Sequence, residues 1–175
     1  MSDSGASTDS GSGTTDSGSD AGTSTASCTA ATTGLASTAD TSAPVLNMAT
    51  SQLQRVASND ASCTTQQGTH PGFGAFGYLL NIAYTDADGD APDLSALSAT
   101  PGPVRFASSP DASIATRFDP AHGWSTQGSG ASGTLVLQLC LDKVYPAGTL
   151  IIGVDVADKA AHRSAAICIS EPSGG

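Results

Sequence analysis

Four runs past residue 75 alternate large apolar residues with small or polar ones: GYLLNIAYTD, TLVLQLCL, GTLIIGVDVAD and SAAICIS. In an extended backbone successive side chains point to opposite faces, so each run lays its large residues on one side only. Tyr78, Leu80, Ile82 and Tyr84 share a face, as do Leu135, Leu137, Leu139 and Leu141. Leu150, Ile152, Val154 and Val156 form a third stripe, and Ile167 and Ile169 a fourth. A strand with one apolar face must bury it against another layer. Weaker stretches of the same kind lie at 43–49, 94–100 and 103–109, whereas SQLQRVAS (51–58) suits a single helical turn. About seven short strands, separated by Gly, Pro, Asp and Ser, predict an all-β, two-layered antiparallel sandwich.

The first 43 residues have another character. Apart from Met1, Cys28 and Leu35 they are Ser, Thr, Gly, Ala and Asp. Such a stretch buries too little apolar surface to offset the entropy lost on ordering it. SDSG (2–5) and TDSG (8–11 and 15–18) recur loosely within it, with no apolar position on which repeats could stack. The expected organisation is a disordered acidic tether at 1–43, one domain at 44–172 and a short tail at 173–175.

Sixteen acids face six bases, for a net charge of −10. The bases (Arg55, Arg105, Arg117, Lys143, Lys159 and Arg163) are scattered, which argues against nucleic acid and anionic membrane surfaces, since both need clustered cations. No run reaches the 18 or so apolar residues of a membrane helix. Four cysteines without a C-x-x-C pair, in a lysine-poor chain, fit an oxidising compartment. MSDSGAS lacks the basic and apolar regions of a signal peptide, so export requires a signal upstream of this chain. Cys28, in STASC, lacks the leucine and the apolar segment that lipid attachment needs.

GYLLNIAYTDADGD (77–90) and YPAGTLIIGVDVADKAAHRSAAICIS (145–170) together resemble the bacterial immunoglobulin-like domains, a group that includes PKD-type and cadherin-like modules. The likeness covers roughly residues 76–92 and 144–170, and the middle of the chain is not matched. The tail is similar to the spacers that lift bacterial surface lipoproteins off their membrane. This resemblance implies that strand B runs into an Asp-rich B–C loop, that PAGT opens strand F and that V-x-D closes it. The B–C and F–G loops would then share one pole, bearing Asp86 and Asp158. Cys63, Cys140 and Cys168 would lie near the other. Four cysteines allow three pairings. The implied layout leans to Cys63–Cys168, with Cys28 reaching Cys140.

YTDADGD (84–90) is the candidate site. Asp86, Asp88 and Asp90 offer hard oxygen ligands, Gly89 permits a sharp bend, Asp93 stands near, and Asp158 would join from the neighbouring loop. Ca²⁺ takes six to eight oxygens, which carboxylates, carbonyls and water can supply. The stretch is not an EF-hand: the twelfth position from Asp86 is Leu97, not an acid. Two readings stay open, an ordinary Asp-rich turn first and a weak Ca²⁺ site second.

Catalysis finds less support. His70, His122 and His162 share no spacing, and GWSTQG (123–128) misses the G-x-S-x-G elbow by one position. Trp124, in a Gly/Ser-rich lead-in, is either a plug at the edge of the core or an exposed ligand anchor. The expected role is a non-enzymatic, exported or cell-surface module for structure, adhesion or binding, its partner an extracellular protein or glycan. Membrane contact would come only through an upstream lipid anchor. The alternatives are a carbohydrate-binding module using Trp124 and a hydrolase drawing on Asp86, Asp88, Asp90, His122 and His162.

Overall fold

The computed structural model describes residues 28–57, 74, 76–90, 92, 102–112, 114 and 124–171. The strand expected at 94–100, Cys63, Asp93, His70, His122 and the segments 1–27 and 172–175 lie outside the described residues. Eight strands are described: β1 (Val45–Leu46), β2 (Gln52–Ala57), β3 (Phe76–Thr85), β4 (Val104–Ser109), β5 (Trp124–Ser129), β6 (Ser132–Leu141), β7 (Ile151–Val156) and β8 (Ile167–Ser170). They form two sheets. One runs β1–β3–β6–β5, with β2 also paired along β3; the other runs β4–β7–β8, and every pairing is antiparallel. With β1 and β2 taken as two parts of one edge strand, lettering in chain order gives A–B–E–D against C–F–G, a two-sheet antiparallel β-sandwich.

The period-two stripes meet as expected. Tyr78, Leu80, Ile82, Leu135 and Leu137 from the first sheet and Ile152, Val154, Val156 and Ile169 from the second are buried in one core. Each fully buried aliphatic side chain contributes roughly 1.5–3 kcal/mol. Leu53, from the segment expected to form a helical turn, is buried in the same core. That segment is β2, paired with β3 from Gln52↔Asn81 to Ala57↔Gly77. The ten-residue β3 offers a long edge, and a lone inward leucine between polar neighbours satisfies a strand as well as a helix. Between β1 and β2 the Ser51 hydroxyl accepts the Ala83 N–H at 3.0 Å, filling the gap in the ladder. β5 was expected only as a lead-in. It has no apolar stripe and is held by its register with β6, from Trp124↔Leu137 to Ser129↔Ser132.

Residues 28–43, which composition placed in the tether, pack against the domain. Cys28–Ala31 form one helical turn, and the following strap lies on the outer face of β7 and β8. Gly153 makes room for it, because a Cβ there would run into the Ala31 carbonyl. The Ala166 N–H donates to the Ala36 carbonyl at 2.8 Å, and the Asp40 N–H to the Arg163 carbonyl at 2.9 Å. The Arg163 N–H in turn donates to the Asp40 carboxylate at 2.8 Å. Cys28 thereby reaches Cys168, across from Gly153 in the ladder, and the two are disulfide-bonded at a Cα–Cα separation of 5.8 Å. Both expected pairings, Cys63–Cys168 and Cys28–Cys140, give way to this one. A strap seated over Gly153 cannot carry Cys28 to the other sheet. Cys140 is also disulfide-bonded.

Under the strap lies Asp155, whose side chain has no exposed surface. Val154 and Val156 point into the core, so Asp155 points outward. It accepts hydrogen bonds from Arg105 Nε at 2.9 Å, Arg163 Nη1 at 2.6 Å and the Ala36 N–H at 2.8 Å. Burial alone would raise its pKa, but Arg105, the Ala36 amide and Arg163 together hold it below the ordinary carboxylate value.

Two substitutions test this arrangement. Asp155→Asn leaves two arginines facing a neutral amide and should cost roughly 3–5 kcal/mol of unfolding free energy in chemical denaturation. Cys28→Ser opens a covalent loop spanning a sequence separation of 140 and should cost up to about 5 kcal/mol, with faster hydrogen exchange at the Ala36 amide.

Candidate functional site

The aspartate pole is built by three turns. Where β3 ends, the Asp86 N–H donates to the Ala131 carbonyl at 2.8 Å, tying the loop to the tip of the β5–β6 hairpin. The Asp88 N–H returns to Asp86 Oδ1 at 3.3 Å, an Asx turn. Gly89 follows at φ +77°, a conformation that glycine adopts without strain. Gly130 of the hairpin tip sits so close that a Cβ would strike the Gly89 carbonyl.

The third turn follows β7. The Asp158 N–H donates to the His162 carbonyl at 3.1 Å, and the Ala161 N–H to the Asp158 carbonyl at the same distance. The Asp158 carboxylate accepts the His162 N–H at 2.8 Å and lies 3.1 Å from His162 Nδ1. Two contacts stitch this turn to the first: Lys159 N–H to the Asp90 carbonyl at 3.1 Å, and Ala160 N–H to Asp90 Oδ2 at 3.2 Å. Among the described residues no ion pair joins the Lys159 side chain to the cluster; only its backbone takes part.

One carboxylate oxygen from each of Asp86, Asp88, Asp90 and Asp158 falls within 4.8 Å of the others. Ca²⁺–oxygen distances of about 2.3–2.6 Å put opposite ligands about 5 Å apart, so this spread suits one ion. Asp88, Asp158 and His162 form an overlapping group. The structure thus brings together four of the five aspartates singled out in the sequence; the fifth, Asp93, lies outside the described residues. His162 was singled out only for the hydrolase alternative, not beside Asp158, and the Ala131 carbonyl was missed. Their only sequence signals were the tight DKAAH turn and the Gly/Ser run around Ala131. Trp124 begins β5, the outermost strand of its sheet, and the surroundings of its side chain lie outside the described residues.

The electrostatics are unsettled without a counter-ion. Asp86 is 3% exposed, and its Oδ2 has no hydrogen-bond partner, nor has Asp90 Oδ1. Burial first, and then the neighbouring Asp88 carboxylate, pushes the Asp86 pKa up to about 6. Asp90 is raised as well, by desolvation and then by Asp88, while Asp88 itself is lowered by hydrogen bonding with Asp86 and then Asp90. A carboxyl that leaves water without a partner is stabilised by a proton or by a cation.

The Asp86 shift has a defined sign. Its folded pKa lies above the unfolded value of about 3.9, so its contribution is present below that value and lost as pH rises through about 6. In chelator-treated buffer Tm should fall between pH 4 and pH 6.5, and Asp86→Asn should flatten that slope. Comparison with known protein families, with curated proteins and with solved structures finds no match to this chain.

Proposed function

We propose that this chain is an exported, non-enzymatic module of the bacterial immunoglobulin-like type whose aspartate pole holds Ca²⁺. One observation carries the metal reading: four carboxylates from two loops converge, with buried oxygens of Asp86 and Asp90 left unpartnered. The donors are all hard oxygens, which suits Ca²⁺ over softer ions. The ion would neutralise the mutual repulsion of the cluster and fasten the loop after β3 to the turn after β7. Its work is stiffening rather than chemistry. The sandwich topology and the oxidised cysteines support an exported setting at a cell surface, since disulfides persist where the environment is oxidising. The partner that fits this reading is an extracellular protein or glycan met by the stiffened loops.

Titration with Ca²⁺ in calorimetry checks the metal. At a hundredfold excess over Kd, binding should add about 2.7 kcal/mol of stability and raise Tm by several degrees. Asp86→Asn and Asp158→Asn should each abolish most of that rise. Unchanged melting at millimolar Ca²⁺ removes the metal reading. A Trp124 fluorescence shift on adding glycans, without Ca²⁺ dependence, would favour carbohydrate binding instead. Hydrolysis of a glycoside or ester substrate that is lost in Asp86→Asn would overturn the non-enzymatic reading.

A further inference from the structure

We infer that the Cys28–Cys168 disulfide is a mechanical bypass: tension entering the chain before Cys28 and leaving it after Cys168 crosses the sulfur–sulfur bond and does not pass through the sandwich. The two cysteines are 140 apart in sequence but 5.8 Å apart in space. All eight strands except the last two residues of β8, and the whole aspartate pole, lie inside the covalent loop they close. Among the described residues, only Ile169 and Ser170, paired with Ile152 and Ile151, remain to be peeled by a pull on the far side.

The position of the bond matters as much as its presence. Cys28 opens the strap, ahead of every hydrogen bond that seats it: Ala36 on Asp155 and Ala166, and Asp40 on Arg163. Without the disulfide a pull would load those few bonds one after another and then draw the four-residue β8 away from β7. With it, the covalent bond is met first, and hydrogen bonds beyond it carry no load. A domain hung in this way keeps the geometry of its pole while the segments on either side are stretched. The inference uses the disulfide and the topology alone, so it stands apart from the Ca²⁺ reading.

Single-molecule stretching of the full 175-residue chain, held by its two ends, tests it. Under oxidising conditions the chain should lengthen without a domain-unfolding step. Its final contour length should fall short of the same chain under reductant by about 500 Å, the reach of the residues inside the loop at about 3.6 Å each. The double variant Cys28→Ser/Cys168→Ser, kept oxidised, should show an intermediate gain, because the Cys140 disulfide remains. Contour length reads out the crosslink whether or not the variant folds. An oxidised native chain that reaches the fully reduced length overturns the inference, and so does a double variant as short as the native chain.

Discussion

A carboxylate with no exposed surface, set in a strand between two valines, cannot be left without partners. Asp155 is that group, and much of the molecule is arranged around it. Transfer of an isolated charge out of water is among the largest penalties a fold can meet. Here it is offset by Arg105 from the neighbouring strand, by Arg163 from the turn beyond β7 and by the backbone of Ala36. The third partner accounts for the strap. Apart from Leu35, which packs beside Gly153, a segment rich in Ser, Thr, Ala and Gly has little apolar surface with which to adhere, yet it docks because it brings an N–H to a buried anion and a cysteine to Cys168. In consequence β7 is buried on both faces: its valines by the core, its Gly153 and Asp155 by the strap.

Asp86 presents the same problem with a different solution. It is almost as hidden from solvent as Asp155, though it lies nearer the surface, and the charges around it are negative. Where guanidinium groups depress the pKa of Asp155, desolvation and Asp88 raise that of Asp86. Two carboxylates in one small domain are thus pushed in opposite directions by the sign of their surroundings. Neighbouring acids raise the need for a proton or a cation at the pole; neighbouring arginines remove that need at the strap. The pole, where the loops after β3 and β7 meet, is where buried oxygens of Asp86 and Asp90 are left without hydrogen-bond partners.

The alternating runs were legible from residues alone. Tyr78 to Tyr84, Leu135 to Leu141 and Leu150 to Val156 each declare an extended strand with one apolar face, and the large residues of that face are buried in all three, although in β7 the alternate residues are covered as well. The convergence of Asp86 with Asp158 was legible only through the likeness to a known strand order, since 72 residues of chain separate them. Less was readable where the local signal is weak. QLQRVA satisfies a helical turn and a strand equally, and the open edge of β3 decided for the strand. WSTQGS has no apolar stripe and became a strand because β6 was there to pair with it.

Periodicity and charge, properties of neighbours along the chain, therefore settled the class of fold, the layering of its core and the acids available for a site. Pairing partners belong to space. The layout implied by the likeness leaned to Cys28 with Cys140, and nothing along the chain brought Cys28 near Cys168; a glycine's missing side chain and a buried carboxylate, more than a hundred residues away, did so. The ladder of β5, the seat of the strap, the disulfide and the opposite fates of Asp86 and Asp155 all rest on contacts between distant residues. Such contacts exist only once the sheets have closed on each other.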